Sequence, residues 1–343
     1  MPPSPPPLRI RIVATPDSTA TPLAGLYESL STVEGLTAPE DRLRADRRPF
    51  DVAIVAEQAG ILTTASGLAI TAHESIDDAE EVDVVIVPSM AFGRDEEWTA
   101  GRYPRLVRWL REAYERGAVL CSACTGANLT AETGLLDGHH ATVHWISERD
   151  FQRRHPDVVL RPDEVLVVSG DGGRLITSGA ATAWHDLALH LVATYVGPAT
   201  ALAAARFLLI QFHQDGQTPF QVFDPPSDHG DAAVLAAQRA IDDRYAIAAP
   251  VDEMVRASGL APRTFARRFK AATGLTPIAY VQHIRVERAK RLLEASGEPI
   301  DDISWAVGYE DPAAFRRLFK RLTSLTPGAY RQRFRLPALG AAA

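Results

Sequence analysis

The chain has 343 residues, 46% of them hydrophobic and 23% charged, with a formal net charge of −7. That length exceeds one ordinary core and fits two domains. Only two cysteines occur, Cys121 and Cys124, which excludes a disulfide-framed fold and agrees with a reducing cytoplasm.

Met1 to Pro7 is proline-rich, with no apolar run behind a basic stretch, and reads as a disordered tail rather than a signal peptide. From residue 8 to 213 short β-branched runs alternate with helical patterns. Candidate strands are Leu8–Ala14, Asp51–Ala56, Val84–Pro88, Ala118–Ser122, Val165–Ser169 and Leu175–Thr177, and candidate helices include Tyr103–Arg116 and Ala183–Tyr195. This alternation predicts an α/β domain, flavodoxin-like, with a mainly parallel sheet and helices on both faces. Leu187 to Phe212 is the most apolar stretch. Gly197 and Pro198 break it, so it predicts a pair of buried helices and no membrane span.

Between the strand at Ala118–Ser122 and a helix expected over Thr125–Thr133 lies a sharp turn carrying Cys124. A thiol there would feel the positive end of the helix, which lowers its pKa and favours thiolate. Such a turn also exposes a nucleophile. Cys121 and Cys124 have the spacing of a redox pair, but Cys121 falls in the strand rather than the turn, and two cysteines alone do not make a structural zinc site. No metal or cofactor is expected. His139 and His140 follow Asp137-Gly138 and read as an exposed turn. Trp145, beside His144, and Trp184, at a helix start, fit packing or the lining of a pocket; aromatic rings there would suit a cationic amine.

Residues 214–231 cluster Gly, Pro, Ser and Asp and are taken as a linker. Residues 232–336 then read as all-α, with a short tail at 337–343. From Ala232 onward 18 Lys and Arg face 11 Asp and Glu, leaving 18 against 32 before it. Nucleic-acid binding is therefore expected at the C-terminal end.

This region contains an internal repeat. Val251, Met254, Ala257 and Gly259 return 49 residues later as Ile300, Ile303, Ala306 and Gly308. With one extra turn residue, Pro262, Phe265, Phe269, Thr276, Pro277 and Tyr280 return as Pro312, Phe315, Phe319, Thr326, Pro327 and Tyr330. In each unit a short helix ends at glycine, and a second helix begins at proline, where the missing N–H has no helical partner to lose. The phenylalanines, four apart, share an inward face. This leaves Arg263, Ala266, Arg267 and Lys270 outward in the first unit and Ala313, Arg316, Arg317 and Lys320 in the second. Two helices joined by a tight turn, the second with a basic outer face, are a helix-turn-helix pattern. The DNA-contacting set is taken as Arg263, Thr264, Arg267, Arg268, Lys270, Arg316, Arg317 and Lys320. Pro277–Ala295, free of internal Gly and Pro, would hold the readers for successive major grooves about 34 Å apart.

The words "VDEMVRASGLAPRTFARRFKAATGLTPIAYV" and "IDDISWAVGYEDPAAFRRLFKRLTSLTPGAYRQRF" resemble the AraC-type DNA-binding domain throughout. That resemblance implies base-edge positions at Arg263, Ala266, Arg267, Ala313, Arg316 and Arg317. Further back, "FDVAIVAEQAG", "VDVVIVPS", "CTGA", "GLLDGHHATVHW" and "LITSGAATAWHDLALHLVATYVG" resemble the class I glutamine-amidotransferase-like fold in its PfpI-like branch. Together the two resemble the GlxA-type subgroup of AraC regulators.

In the wider fold Cys124 matches the nucleophile and His144 the nearby histidine. Enzyme members often carry histidine directly after the cysteine, where this chain has Thr125. The acidic residue that several relatives place after the first strand has only Asp17 as a counterpart, out of phase. The resemblance implies a cytoplasmic regulator, not an enzyme, with a retired active site reused to bind a small-molecule effector at Cys124, Thr125, His144, Trp145 and Trp184. It also implies a homodimer on double-stranded DNA that activates transcription with RNA polymerase. Two alternatives stand beside it: a redox sensor, with an exposed low-pKa Cys124 resolved by Cys121, and a working cysteine hydrolase joined to a DNA reader.

Overall fold

The computed structural model describes residues 6–33, 48–79, 81–91 and 98–336. Apart from Pro6 and Pro7, the tails expected at 1–7 and 337–343 lie outside these residues. The chain divides into two compact units, one ending at Gln217 and the other starting at Thr218.

The first unit is built on a seven-stranded sheet. Its strands are β1 (Leu8–Val13), β2 (Phe50–Ala56), β5 (Glu74–Ser75), β6 (Val84–Val87), β7 (Val119–Ala123), β10 (Leu166–Ser169) and β11 (Leu175–Ser178). They lie in the order β10-β11-β7-β6-β1-β2-β5, parallel throughout except for the β10–β11 pair. Counting the five long parallel strands alone, the order is that of flavodoxin-like sheets, whose ligands sit beyond the strand carboxyl ends where the order reverses. Here the reversal falls between β1 and β6. Two small pairs lie apart from the sheet, the hairpin β3 (Gly60–Thr63) and β4 (Ala69–Ala72), and β8 (His140–Ala141) with β9 (Val159–Leu160).

Strand alternation divides the core between the two faces of the sheet. Along β6, Val84 and Ile86 join the buried cluster under α1 (Ala20–Ser31) and α5 (Trp184–Tyr195). Val85 and Val87 join the cluster under α2 (Pro104–Glu115), α3 (Ala127–Ala131) and α4 (Glu148–Arg154). The six expected strands appear within a residue or two of their expected ends. Leu187 to Phe212 resolves into α5 and α6 (Pro198–Leu208), parted at Gly197, whose φ is +132°. Among the described residues no helix is long and apolar enough to cross a membrane.

The second unit is helical: α7 (Ala232–Asp242), α8 (Pro250–Ser258), α9 (Pro262–Thr273), α10 (Pro277–Ala295), α11 (Ile300–Ala306), α12 (Pro312–Thr323) and α13 (Pro327–Phe334). The repeat becomes two separate cores. Met254, Phe265, Phe269 and Tyr280 close one, and Ile303, Phe315, Phe319 and Tyr330 the other. The division of the chain falls within the linker expected over 214–231, but residues of that segment are packed: Gln217 is buried in the first unit, and Phe223 packs in the second, 5.4 Å from Tyr280 and 4.8 Å from His283 between ring centres. Lys290 of α10 also donates to the Gln221 carbonyl at 2.7 Å. Two aromatic residues, Phe220 and Phe223, inside an otherwise polar run provide the anchors.

Candidate effector pocket and nucleic-acid interface

In the first unit, β7 ends in a single 3-10 turn, Cys124–Gly126, which runs into α3. Cys124 has φ +54°, a left-handed conformation that non-glycine residues seldom adopt. The turn therefore has the backbone of a nucleophile elbow. Its setting is tight: a Cβ on Gly126 would lie 2.5 Å from both the Val87 and Pro88 carbonyl oxygens. Thr125 fastens it further, its hydroxyl donating to the Met90 carbonyl at 2.6 Å and accepting from the Met90 N–H at 2.8 Å. Met90 in turn bridges Ser18. The elbow is thus wired to the loops after β6 and β1, at the point where the strand order reverses.

The chemistry expected of Cys124 is corrected. The residue is only 6% exposed, and burial pushes its thiol from 9.0 up to about 11, against lowering by the Thr125 backbone and hydroxyl. Desolvation outweighs these hydrogen bonds because the sulfur has left water. Cys121 lies in β7, wholly buried in the layer under α1 and α5, with its thiol pushed up by desolvation. The exposed low-pKa thiol that a redox sensor requires is absent from this pair.

No hydrogen bond joins His144 to Cys124 among the described residues. Its Nδ1 accepts from the Ile146 N–H at 3.1 Å, closing a local turn, and burial lowers its pKa. Trp145 stands beside it, ring centres 5.5 Å apart, and both are half-buried. Asp17 is also engaged elsewhere: Tyr103 donates to it at 2.6 Å and Arg102 at 3.0 Å. Burial and the Asp17 hydrogen bond raise Tyr103 to about 12. Trp184 packs in the core, its indole so close to α1 that a Cβ on Gly25 would meet it at 2.3 Å. Of the two roles the sequence allows for it, packing is the one these contacts describe.

Sequence reasoning missed two polar features of this unit. Asp186, buried at the start of α5, accepts from the His213 backbone at 2.9 Å and lies 2.7 Å from its Nδ1. The buried Gln217 side chain is held by a ring of main-chain carbonyls. Neither pair is close in sequence, so spacing carries no sign of them.

In the second unit the two helix-turn-helix motifs share local devices. Gly259 (φ +65°) and Gly308 (φ +88°) make the first turns. α9 and α12 are each 12 residues long with proline in the first turn. Thr273 and Thr323 each donate to the carbonyl four residues back at 2.8 Å. Thr276 and Thr326 accept from Ala279 and Ala329 to cap α10 and α13. The left-handed residue after α9 is Gly274, and its counterpart after α12 is Ser324.

Arg263, Ala266, Arg267 and Lys270 are exposed on α9, as are Ala313, Arg316, Arg317 and Lys320 on α12; Thr264 is half-buried. Arg268 turns away from this face. It is half-buried and grips Asp231 at 2.9 and 2.8 Å, the same aspartate that caps α7, and its guanidinium holds that carboxyl below the usual range. Its inclusion among the DNA contacts is corrected, because a position one step round the helix from Arg267 faces α7. Arg316 pairs with Asp301, and Arg317 stands 3.8 Å from Asp311.

The DJ-1/PfpI family model matches residues 27–194, and a helix-turn-helix domain model matches residues 254–333. The HTH-type transcriptional regulator CdhR of Pseudomonas aeruginosa is 26% identical over 298 residues, covering 83% of this chain and 81% of that protein. The HTH-type transcriptional regulator GlxA of Rhizobium meliloti is 29% identical over 294 residues, covering 84% and 86%. The isonitrile hydratase of Pseudomonas putida is 28% identical over 208 residues, covering 60% of this chain and 82% of that protein. The chain therefore joins a DJ-1/PfpI domain to an AraC-type helix-turn-helix domain. Over most of its length it is similar to regulators named CdhR and GlxA.

Proposed function

We propose that this DNA-binding helix-turn-helix regulator is a homodimer that reads its operator with α9 and α12 in two successive major grooves, under control of a small molecule bound by the α/β unit. The observation that carries the reading is the doubled motif, with exposed basic residues in the same phase on two helices of equal length. The 19-residue α10 between them is about 28 Å long. Arg263, Arg267 and Lys270 make no ion pair among the described residues and stand ready for phosphates or guanine edges. Arg316 and Arg317 exchange their aspartates for DNA on binding. The role with RNA polymerase is that of an activator.

The α/β unit acts as a sensor. The elbow keeps its backbone, while a buried, protonated Cys124 without a histidine or carboxylate partner supports binding rather than turnover. We assign effector binding to Cys124, Thr125, His144 and Trp145. A second reading, hydration or hydrolysis at Cys124, draws on the elbow and on the relative named isonitrile hydratase. Turnover that disappears in Cys124→Ala would establish it.

The test of DNA reading is selection of duplexes from random DNA by the full chain, followed by anisotropy titration at fixed salt. Arg267→Ala and Arg317→Ala should each weaken binding by about 1–3 kcal/mol. Unchanged affinity in either variant removes that residue from the reader. Failure to enrich any sequence overturns sequence-specific binding.

A further inference from the structure

The last residue of the first unit is held in an unusual way. The Gln217 side chain, 1% exposed, places Nε2 within 3.2 Å of four oxygens: the Thr142 hydroxyl and the carbonyls of Val143, Pro162 and Glu164. Its Oε1 faces the Trp145 N–H at 3.4 Å, and its own N–H donates to the Asp163 carbonyl at 2.8 Å. Two glycines make room for it. A Cβ on Gly179 would strike Nε2 at 2.2 Å, and one on Gly216, which has φ +69°, would strike the Asp163 carbonyl at 2.2 Å.

An amide nitrogen has two hydrogens, so four acceptors around it form a socket that selects for N–H donors and repels an oxygen. The socket wall, residues 142–145, includes His144 and Trp145 of the sensor region. The next residue after Gln217 begins the DNA-binding unit.

We propose that Gln217 is the positioning residue that couples the two units: its amide fastens the last residue of the first unit to the sensor segment 142–145, one residue before the DNA-binding unit begins, so that a change at either end is felt at the other. This rests on the reading of the chain as a sensor-controlled DNA reader. Coupling of this kind is reciprocal, so DNA can serve as the probe and no effector is needed.

Hydrogen exchange of residues 140–146 is measured in the full chain with and without a duplex selected by the parent protein. The expected result is that DNA changes exchange there in the parent. In Gln217→Ala, in Gln217→Glu and in Gly179→Ala, which ejects the amide without touching Gln217, that response is lost while DNA affinity stays within about twofold. Gln217→Glu should lower the melting temperature more than Gln217→Ala, because it sets an oxygen against four acceptors. Acetamide, which supplies the missing amide, should restore the response in Gln217→Ala and do nothing in the parent.

No DNA-dependent change in the parent, or a response that survives in Gln217→Ala, overturns the proposal. A purely structural role would give a lower melting temperature with the DNA response intact. If the Gln217 variants do not fold, Gly179→Ala alone carries the same comparison, since its backbone is not in the left-handed region. Failure of the parent to select any duplex is the separate failure of the DNA-reader assignment.

Discussion

Iodoacetamide should alkylate Cys124 about a hundredfold more slowly at pH 7 than it alkylates the same residue in the unfolded chain. Only thiolate attacks, and burial lifts this thiol from 9.0 to about 11. Each unit of elevation removes a factor of ten in thiolate at a fixed pH below both values, so two units leave roughly one-hundredth. The folded state holds the proton more tightly than the unfolded one. The associated stability is therefore complete below about pH 9 and is lost as pH rises from there through 11, by an amount on the order of 3 kcal/mol. The assay is a time course at pH 7 with peptide mass mapping to separate Cys124 from Cys121, using protein in urea as the reference. Equal rates in folded and unfolded protein would refute the reasoning. They would mean that the hydrogen bonds at the turn offset desolvation, and the thiol-based readings would return.

Two further outcomes follow from packing. Gly126→Ala should destabilise the first unit by about 1–3 kcal/mol, because its Cβ meets two main-chain oxygens that cannot yield; scanning calorimetry reads the change, and an unaltered transition would show that the elbow is slack. Arg268→Ala should lower the melting temperature of the second unit slightly, by releasing Asp231 from an ion pair that solvent already screens. The selected DNA sequence should not change, and a shift in sequence preference would return Arg268 to the reader face.

The architecture was legible where local pattern and tertiary demand coincide. The sheet strands read from β-branched runs because a parallel strand is buried on both faces, as Val84–Val87 is. The repeat read clearly because each phenylalanine pair must face inward at the same phase. Helix α1 escaped notice: Pro22 and Gly25 weaken its propensity, although Leu23, Leu26 and Leu30 are all buried along one side. The site was less legible. The elbow turn showed in the strand–Cys–Gly pattern, but the state of the thiol depends on burial, in a turn fastened through Gly126 and Thr125 to Val87, Pro88 and Met90, more than 30 residues away. Arg268 looked like its neighbour Arg267, and only the position of Asp231 separates them. Gln217 carries no local signal, since its acceptors are main-chain groups contributed by residues 143, 162 and 164.

The left-handed backbone at Cys124 does not itself argue for catalysis. Such a conformation costs about 1–2 kcal/mol for a residue with a Cβ and persists where surrounding structure over-determines it. Here it is over-determined without any chemistry, by the close approach of Gly126 to two carbonyls and by the paired hydrogen bonds of Thr125 to Met90. The strain is then a consequence of how the elbow is fastened, and glycine at 124 should relieve it. Cys124→Gly and Cys124→Ala both remove the thiol, but only alanine retains the left-handed penalty, so the glycine variant should equal or exceed the alanine variant by up to about 1 kcal/mol. Paired denaturant titrations measure the difference. An alanine variant more stable than the glycine variant would show that the backbone relaxes once the sulfur is gone, and that the thiol, rather than its neighbours, holds the turn.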